Sequence, residues 1–267
     1  MVCNIIGGEK YSWASRTYEE VQEIAEQDGS ILVLPVGSIE QHGHHLPVAT
    51  DTMLVDHVAD LAAERVVDSV PILVAPPIWS GHSPHHMPFG GTITLDHDGL
   101  LDVVEQVVDS ALENGFDGLF LLNGHGGNSS LISSATSIIG TSHPDVEVLG
   151  LTYFTLAASF IDEIRDSDVG GMAHGGEFET SLMLHLRPDL VREERLEGTY
   201  MDEPYEWGGK DLFEPGPLSV YRSFDEYTES GAIGDPKLAT AEKGAEIYER
   251  LGDELERMLT QLYERNQ

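Results

Sequence analysis

The stretch GSIEQHGHH, residues 37–45, sets Glu40, His42, His44 and His45 side by side directly after the apolar run ILVLPV. Carboxylate and imidazole are the usual protein ligands of zinc, manganese and iron. In an extended segment residues i and i+2 point to one side, so Glu40 and His42 can reach one metal centre. Asp51, nine residues beyond His42, opens a helical pattern, where it suits a helix cap as well as a ligand. His125 sits in NGHGGN, whose glycines let the backbone approach closely; a phosphate-cradling loop is the other reading. Neither the P-loop lysine nor the dinucleotide glycine spacing is present. A further cluster, HGGEFETSLMLHL, carries His174, Glu177 and Glu179. By itself it also reads as a helix start with acids in the first turn, favourable to the helix dipole. A carboxylate can bridge two ions, and ions paired a few Å apart are a common hydrolytic device. His44, His45, His82 and His85 suit a pocket wall, whereas His57, His97, His143 and His185 read as surface or half-buried residues.

The elements that must hold these residues follow from hydrophobic periodicity. Apolar runs at 31–36, 71–77 and 118–123, with another candidate at 146–154, read as buried strands. Helical spacing runs over 15–27, 51–67, 96–115 (stopped by Gly115), 128–140 (capped by Asn128 or Ser129), 174–186 and 238–264. Continuous apolar strands alternating with helices predict an α/β fold with a largely parallel central sheet. Ligands in such sheets bind outside the carboxyl ends of the strands. GSIEQHGHH, SGHSPHH and NGHGGN follow the first, second and third strands in turn. The segment 192–235, rich in Gly, Pro, Tyr and acids, reads as a long excursion with turns or a hairpin within one domain spanning 1–267.

With 267 residues, 40% of them hydrophobic, the chain can bury a sizeable core. Its 47 acids against 14 Lys and Arg give a net charge of −33, and only Lys10, Lys210, Lys237 and Lys243 are lysines. The acids are spread along the chain, which reads as a solvated surface adapted to a salt-rich cytosol. Nucleic acid and anionic membrane are disfavoured as partners, because both need positive patches. One cysteine, Cys3, permits no intrachain disulfide, and the opening residues lack a leader's charged and apolar regions. No apolar run approaches a membrane span of ~20 residues. A cytoplasmic protein is expected.

Five pieces together, LPVGSIEQHGHHLPVATD, HHMPFGGTITL, LLNGHGGNSS, HGGEFETSLML and GAIGDPKLATAEKG, resemble the creatininase family of metal-dependent amidohydrolases, in the family's order over residues 34–244. The resemblance implies a three-layer αβα sandwich, two divalent ions (zinc, with manganese or iron as alternatives), a small-molecule amide substrate and a homo-oligomer, in the family a hexamer. It implies that Glu40 and His125 bind one ion, His42 binds the other, Asp51 bridges them, and His174 is catalytic. Glu177 is placed beside His174 in the catalytic set, and His86, Gly126 and Gly127 on the substrate side. Creatininase proper follows its glycine-histidine with Tyr-Glu, the glutamate binding the second metal. Gly126 and Gly127 stand there in this sequence, so another carboxylate is needed: Glu179, with Glu177 as second choice. Gly170 and Gly171 replace a Trp-Asp pair that faces the creatinine ring, so creatinine is not the expected substrate. NGHGGN also resembles other branches. One is the archaeal deformylase acting on a formamidopyrimidine nucleotide, which suits a halophilic archaeon; another is the peptidase that trims the mycofactocin precursor. A metal-binding member without catalysis is the remaining alternative.

Overall fold

Six consecutive apolar residues form the first strand, β1 (Ile31–Val36), and all six are buried. It lies inside a four-stranded parallel sheet with β2 (Ile72–Val74), β3 (Gly118–Asn123) and β4 (Glu147–Thr152), in the order β2-β1-β3-β4. The computed structural model describes residues 9–202 and 205–267; Cys3 and the opening segment read above lie outside the described residues. Along β1 and β3 every position pairs, from Ile31 with Gly118 to Val36 with Asn123. β2 is shorter than the run 71–77 suggested. Pro76 and Pro77 carry no N–H, and pairing of β2 with β1 stops at Val74. Pro35 fits inside β1 for a related reason. Its carbonyl accepts from Ile78 N–H at 2.9 Å, so its missing donor faces the edge where β2 has ended.

Side chains alternate across a strand, and here the alternation feeds two cores. Ile31, Val33, Ile72, Val74, Phe120 and Leu122 pack with α2 (Thr50–Val66), α5 (Glu177–Leu186) and α6 (Ala241–Arg265). Leu32, Leu34, Val36, Leu73, Leu119 and Leu121 face α1 (Tyr18–Ala25), α3 (His97–Leu112) and α4 (Ser129–Ser142). The result is the expected αβα arrangement. Helix α6 turns Ile247, Leu251, Leu255, Leu259 and Leu262 inward at spacings of about one turn. No helix among the described residues is long and apolar enough to cross a membrane.

Helix starts follow local chemistry. Thr17 and Glu20 form a capping box on α1, Asp96 caps α3 through Gly99 N–H at 2.7 Å, and Thr240 caps α6. Two expectations change. Asp51 does not cap α2; Ala49 holds the cap position, and Asp51 is buried inside the first turn. Asn128 stands at the start of α4 without capping it, because its side chain is used elsewhere. Helix α3 ends at Leu112, with Gly115 just beyond at φ 106°. The described part of 192–235 consists of short turns and isolated bridges rather than a hairpin ladder.

Candidate metal centre

The three loops leaving β1, β2 and β3 are held together by one amide. Asn128 donates to Gly37 O at 3.0 Å and to Asn123 Oδ1 at 3.2 Å, and accepts from His82 N–H at 2.9 Å. Asn123 in turn accepts from His125 N–H at 3.1 Å and donates to His125 O at 2.7 Å. Gly124 lets this loop press on α2: a Cβ there would lie 2.7 Å from Val55 Cβ and 2.8 Å from Asp51 O. The loops therefore cannot drift apart, and their polar side chains meet over the sheet's carboxyl edge.

Glu40, His42, Asp51, His125 and Glu179 meet there, all buried. His42 Nε2 lies 3.1 Å from Asp51 Oδ1 and 3.8 Å from Glu179 Oε1. His125 Nδ1 lies 3.0 Å from Asp51 Oδ2 and 3.1 Å from Glu40 Oε2. Asp51 thus presents one oxygen to each histidine. One donor atom from each of His42, Asp51 and Glu179 falls within 4.8 Å of the others, and so do those of Glu40, His85 and His125, and of Glu40, His42 and His174.

The outer bonds orient these donors. His42 Nδ1–H donates to Glu40 O at 3.1 Å, which turns Nε2 toward Asp51 and Glu179. His125 Nε2–H faces His82 O at 3.2 Å and Ser83 Oγ at 3.0 Å, which turns Nδ1 toward Glu40 and Asp51. Ser83 Oγ–H donates to Glu40 Oε2 at 2.6 Å, and Gly175 N–H donates to Glu179 Oε2 at 2.6 Å. This is the tautomer-fixing arrangement that metal-ligating histidines use. It aims ring lone pairs at carboxylate oxygens, which is stable only with a cation or proton between them.

The electrostatics say the same. Burial opposes charge on His42, but Asp51 and Glu179 outweigh it and hold the ring well above its ordinary range. Burial is likewise outweighed at His125, which Glu40 and Asp51 push up to about 10. Burial would raise Asp51, yet His42 and His125 hold it low. Burial raises Glu40. Asp51 Oδ2 is buried without an aligned hydrogen-bond donor, although His125 Nδ1 is near. An orphaned carboxylate oxygen among nitrogen and oxygen donors fits divalent cations.

His174 reaches the edge of this cluster. Its Nε2–H donates to Gln41 O at 2.6 Å, leaving Nδ1 at 3.6 Å from Glu40 Oε1. Burial, then the nearby His42, holds it well below its usual range and therefore neutral.

Two expectations need correction, those for Glu177 and His86. Glu177 is not in the cluster: its carboxylate accepts from the N–H groups of Asp166 and Ser167, each at 3.0 Å, and pairs with Lys243. Residues two apart on a helix point to nearly opposite sides, so Glu177 faces Lys243 while Glu179 turns to the site. His86 has both ring nitrogens committed, Nε2 at 3.2 Å from Glu40 Oε1 and Nδ1 at 2.8 Å from Gln41 Nε2, so it holds Glu40 rather than offering a polar atom to substrate. Gly126 and Gly127 both line the cavity but differ. A Cβ at Gly126 would find only Phe154, at 4.0 Å, whereas one at Gly127 would strike His125 Nε2 at 2.4 Å and His82 O at 2.7 Å. No side chain fits at 127, so a glutamate there is impossible without moving His125.

His45 is buried against Gly175 O and Thr180, each at 3.0 Å, and does not join the donors. His143 pairs with Asp109 on the surface, and His185 lies against Tyr248 with the two rings tilted by 54°. Sequence reasoning gave no role to Ser83, Gln41 or Phe224. The Phe224 ring lies 4.1 Å from His86 and 5.0 Å from His174, closing one side of the site from the far excursion. No local signal marks it. The histidine pair His85-His86 after β2 was a signal for His85.

A cavity of about 750 Å³ opens over the cluster, lined on the metal side by Glu40, Asp51, His125, His174 and Glu179 and on the other by the excursion. An αβα sandwich with carboxylate and imidazole donors converging at its sheet's carboxyl edge defines a metal-dependent hydrolase. Residues 14–259 match the family described as Creatininase: creatinine amidohydrolase. The 3-dehydro-scyllo-inosose hydrolase of Thermotoga maritima is 28% identical, over 93% of this chain and 82% of that protein. The mycofactocin precursor peptide peptidase of Mycobacterium tuberculosis is 32% identical, over 84% of this chain and 82% of that one. A solved structure of creatininase with Mn superposes with a TM-score of 0.80 at 28% identity, covering 95% of this chain and 98% of that one. The chain belongs to the creatininase family and is a hydrolase.

Proposed function

We propose that the protein hydrolyses an amide C–N bond at a binuclear metal centre, with Glu40, Asp51 and His125 holding one ion and His42, Asp51 and Glu179 the other. The shared Asp51, one oxygen toward each histidine, is the observation that carries this reading. Two divalent ions, when bound, supply the charge that polarises an amide carbonyl and eases deprotonation of water. The nitrogen and oxygen donor set, without sulfur, suits zinc, manganese or iron.

The chain's own residues do the rest. The open face of Gly126 admits the scissile group beside the donors. Phe224 and the histidines beneath it keep that side dry. His174 Nδ1 faces the cluster, 3.6 Å from Glu40 Oε1, which places it to take a proton there from the attacking water. It then delivers that proton to the departing nitrogen, which leaves poorly as an anion. Its opening into the cavity favours catalysis over a metal-binding role alone. Among the described residues no tryptophan lines the cavity, and neither do Gly170 and Gly171.

The test is metal analysis of the purified protein followed by a screen of formamides, cyclic amides and short peptides. Two ions per chain and metal-dependent cleavage of an amide, with creatinine a poor substrate, are expected. A chain that binds no metal, or a metal-loaded chain that cleaves no amide, refutes the reading.

A further inference from the structure

The cavity wall opposite the metal donors carries two of the chain's few cations, Lys210 and Arg222. Most other basic side chains among the described residues are spent on acids: Lys10 on Asp68, Arg65 on Glu249 and Asp253, Arg165 on Asp211, Lys243 on Asp166 and Glu177. Lys210 has no ion pair and no side-chain hydrogen bond among the described residues, in a protein of net charge −33. Arg222 comes no closer than 3.8 Å to Glu226, and its guanidinium lies 5.8 Å from the Tyr227 ring centroid. Glu226 is itself engaged by Ser223 N–H at 3.2 Å. Arg222 is thus held to Glu226 by a long ion pair alone and makes no side-chain hydrogen bond among the described residues.

The backbone carrying both cations is held in place. Asp211, next to Lys210, is buried and accepts from the N–H groups of Gly170, Phe213 and Glu214 at 2.8, 3.0 and 3.1 Å as well as pairing with Arg165. Lys210 N–H donates to Glu214 O at 2.9 Å. Arg222 stands two residues before Phe224, whose ring rests on His86 and His174. Two residues span at most ~7 Å of backbone, so the Arg222 backbone lies close to the ring that closes the site, and its side chain lines the same cavity as the donors.

The charge balance gives these positions a purpose. Three carboxylates against two divalent ions would leave a slight positive excess when the ions are bound; Asp211 is paired with Arg165, Arg222 is only loosely paired with Glu226, and Lys210 adds an uncompensated charge. The interior of the cavity is then positive while the exterior is strongly negative. We infer that the substrate is an amide bearing an oxyanion, a carboxylate or phosphate a few bonds from the scissile group, which Lys210 and Arg222 bind. Arg is suited to that task by its planar fork, and charge-assisted bonds of this kind are about twice as strong as neutral ones. This inference rests on the amidohydrolase reading for the identity of the bond cleaved, but not for the anion site itself.

The probes are glutaramate and glutaramide, which share an amide and differ in one charge. Their binding to the metal-loaded protein is measured by calorimetry at fixed ionic strength, for the wild type and for Lys210→Gln, Arg222→Gln and the double variant. The wild type is expected to prefer glutaramate by about tenfold or more. The double variant is expected to lose that preference while keeping metal content and glutaramide affinity, and each single variant to lose part, so the result does not hang on one protein folding. A wild type without preference, or a double variant that keeps it through the metals alone, overturns the inference. Amide hydrolysis without anion preference removes this inference and leaves the amidohydrolase reading. An anion preference abolished by the substitutions in a protein that cleaves no amide does the reverse.

Discussion

Glu179 and Glu177 lie two residues apart on one helix, both buried, and the structure gives them opposite work. Glu179 Oε1 faces His42 Nε2 at 3.8 Å, with Oε2 held by Gly175 N–H. Two unit charges at that separation and an effective dielectric of about 20 interact by about 4 kcal/mol. A divalent ion between the two side chains would sit closer to the carboxylate than His42 does, so this is a lower bound on the attraction. Glu179→Gln keeps the shape and a carbonyl dipole, which offsets part of it. The second ion is then expected to bind on the order of 10²–10³ times more weakly, with the first ion retained. Glu177→Gln should keep both ions, because its partners are Lys243 and two backbone N–H groups. Glu177→Ala instead leaves Lys243 with Asp166 alone and strips the acceptor from two backbone N–H groups, and is expected to cost about 1–3 kcal/mol of stability. The assay is metal stoichiometry after dialysis against graded chelator, beside a denaturation curve for each variant. Two ions held at wild-type affinity by Glu179→Gln would refute the assignment, as would loss of an ion from Glu177→Gln.

Three further outcomes are expected. His174→Ala should keep near-normal metal content and lose roughly 10²–10⁴-fold in kcat on an amide with a basic leaving nitrogen; an emptied metal site would instead make His174 a ligand, as its proximity to Glu40 and His42 allows. Asp60, pushed up to about 7 by burial and by Asp56, Glu9 and Glu64, binds its proton more tightly folded than unfolded. Its contribution to stability is therefore present near pH 4 and lost as pH rises to about 7, so Asp60→Asn should raise Tm at pH 8 and leave it nearly unchanged at pH 4, and equal shifts at both would contradict this. Low salt should lower Tm, since the repulsion of a −33 chain is screened over ~3 Å at molar salt but ~10 Å at 0.1 M; a Tm independent of salt would count against adaptation to a salt-rich cytosol.

Much of the scaffold was legible because it rests on local patterns. β1 and β3 are unbroken apolar runs that a parallel sheet covers on both faces, and both were placed to the residue. The helix read from 96 starts there, capped by Asp96, whereas those read from 15 and 238 start a little later, at the caps Thr17 and Thr240. The loop motifs after three strands named their own chemistry, since ligand types and strand ends are both visible in one dimension. What failed locally failed for stated reasons: two prolines cut β2 short, and Asp51 lies inside the first turn behind Ala49, where His42 from the preceding loop and His125 from the loop after β3 meet its two oxygens.

The sequence alone therefore determined the layers, the edge at which polar loops gather and the types of donor they carry. Only the tertiary structure decided which donors meet. Whether Glu177 or Glu179 faces the metals depends on how α5 is rotated against α6, where Lys243 takes the one and Gly175 and His42 orient the other. Phe224, Lys210 and Arg222 come from an excursion whose path is set by long-range contacts, Asp211 with Arg165 and Phe224 with the histidines. Such contacts leave no periodicity in the chain, because the partners are far apart in sequence and each is ordinary in its own neighbourhood.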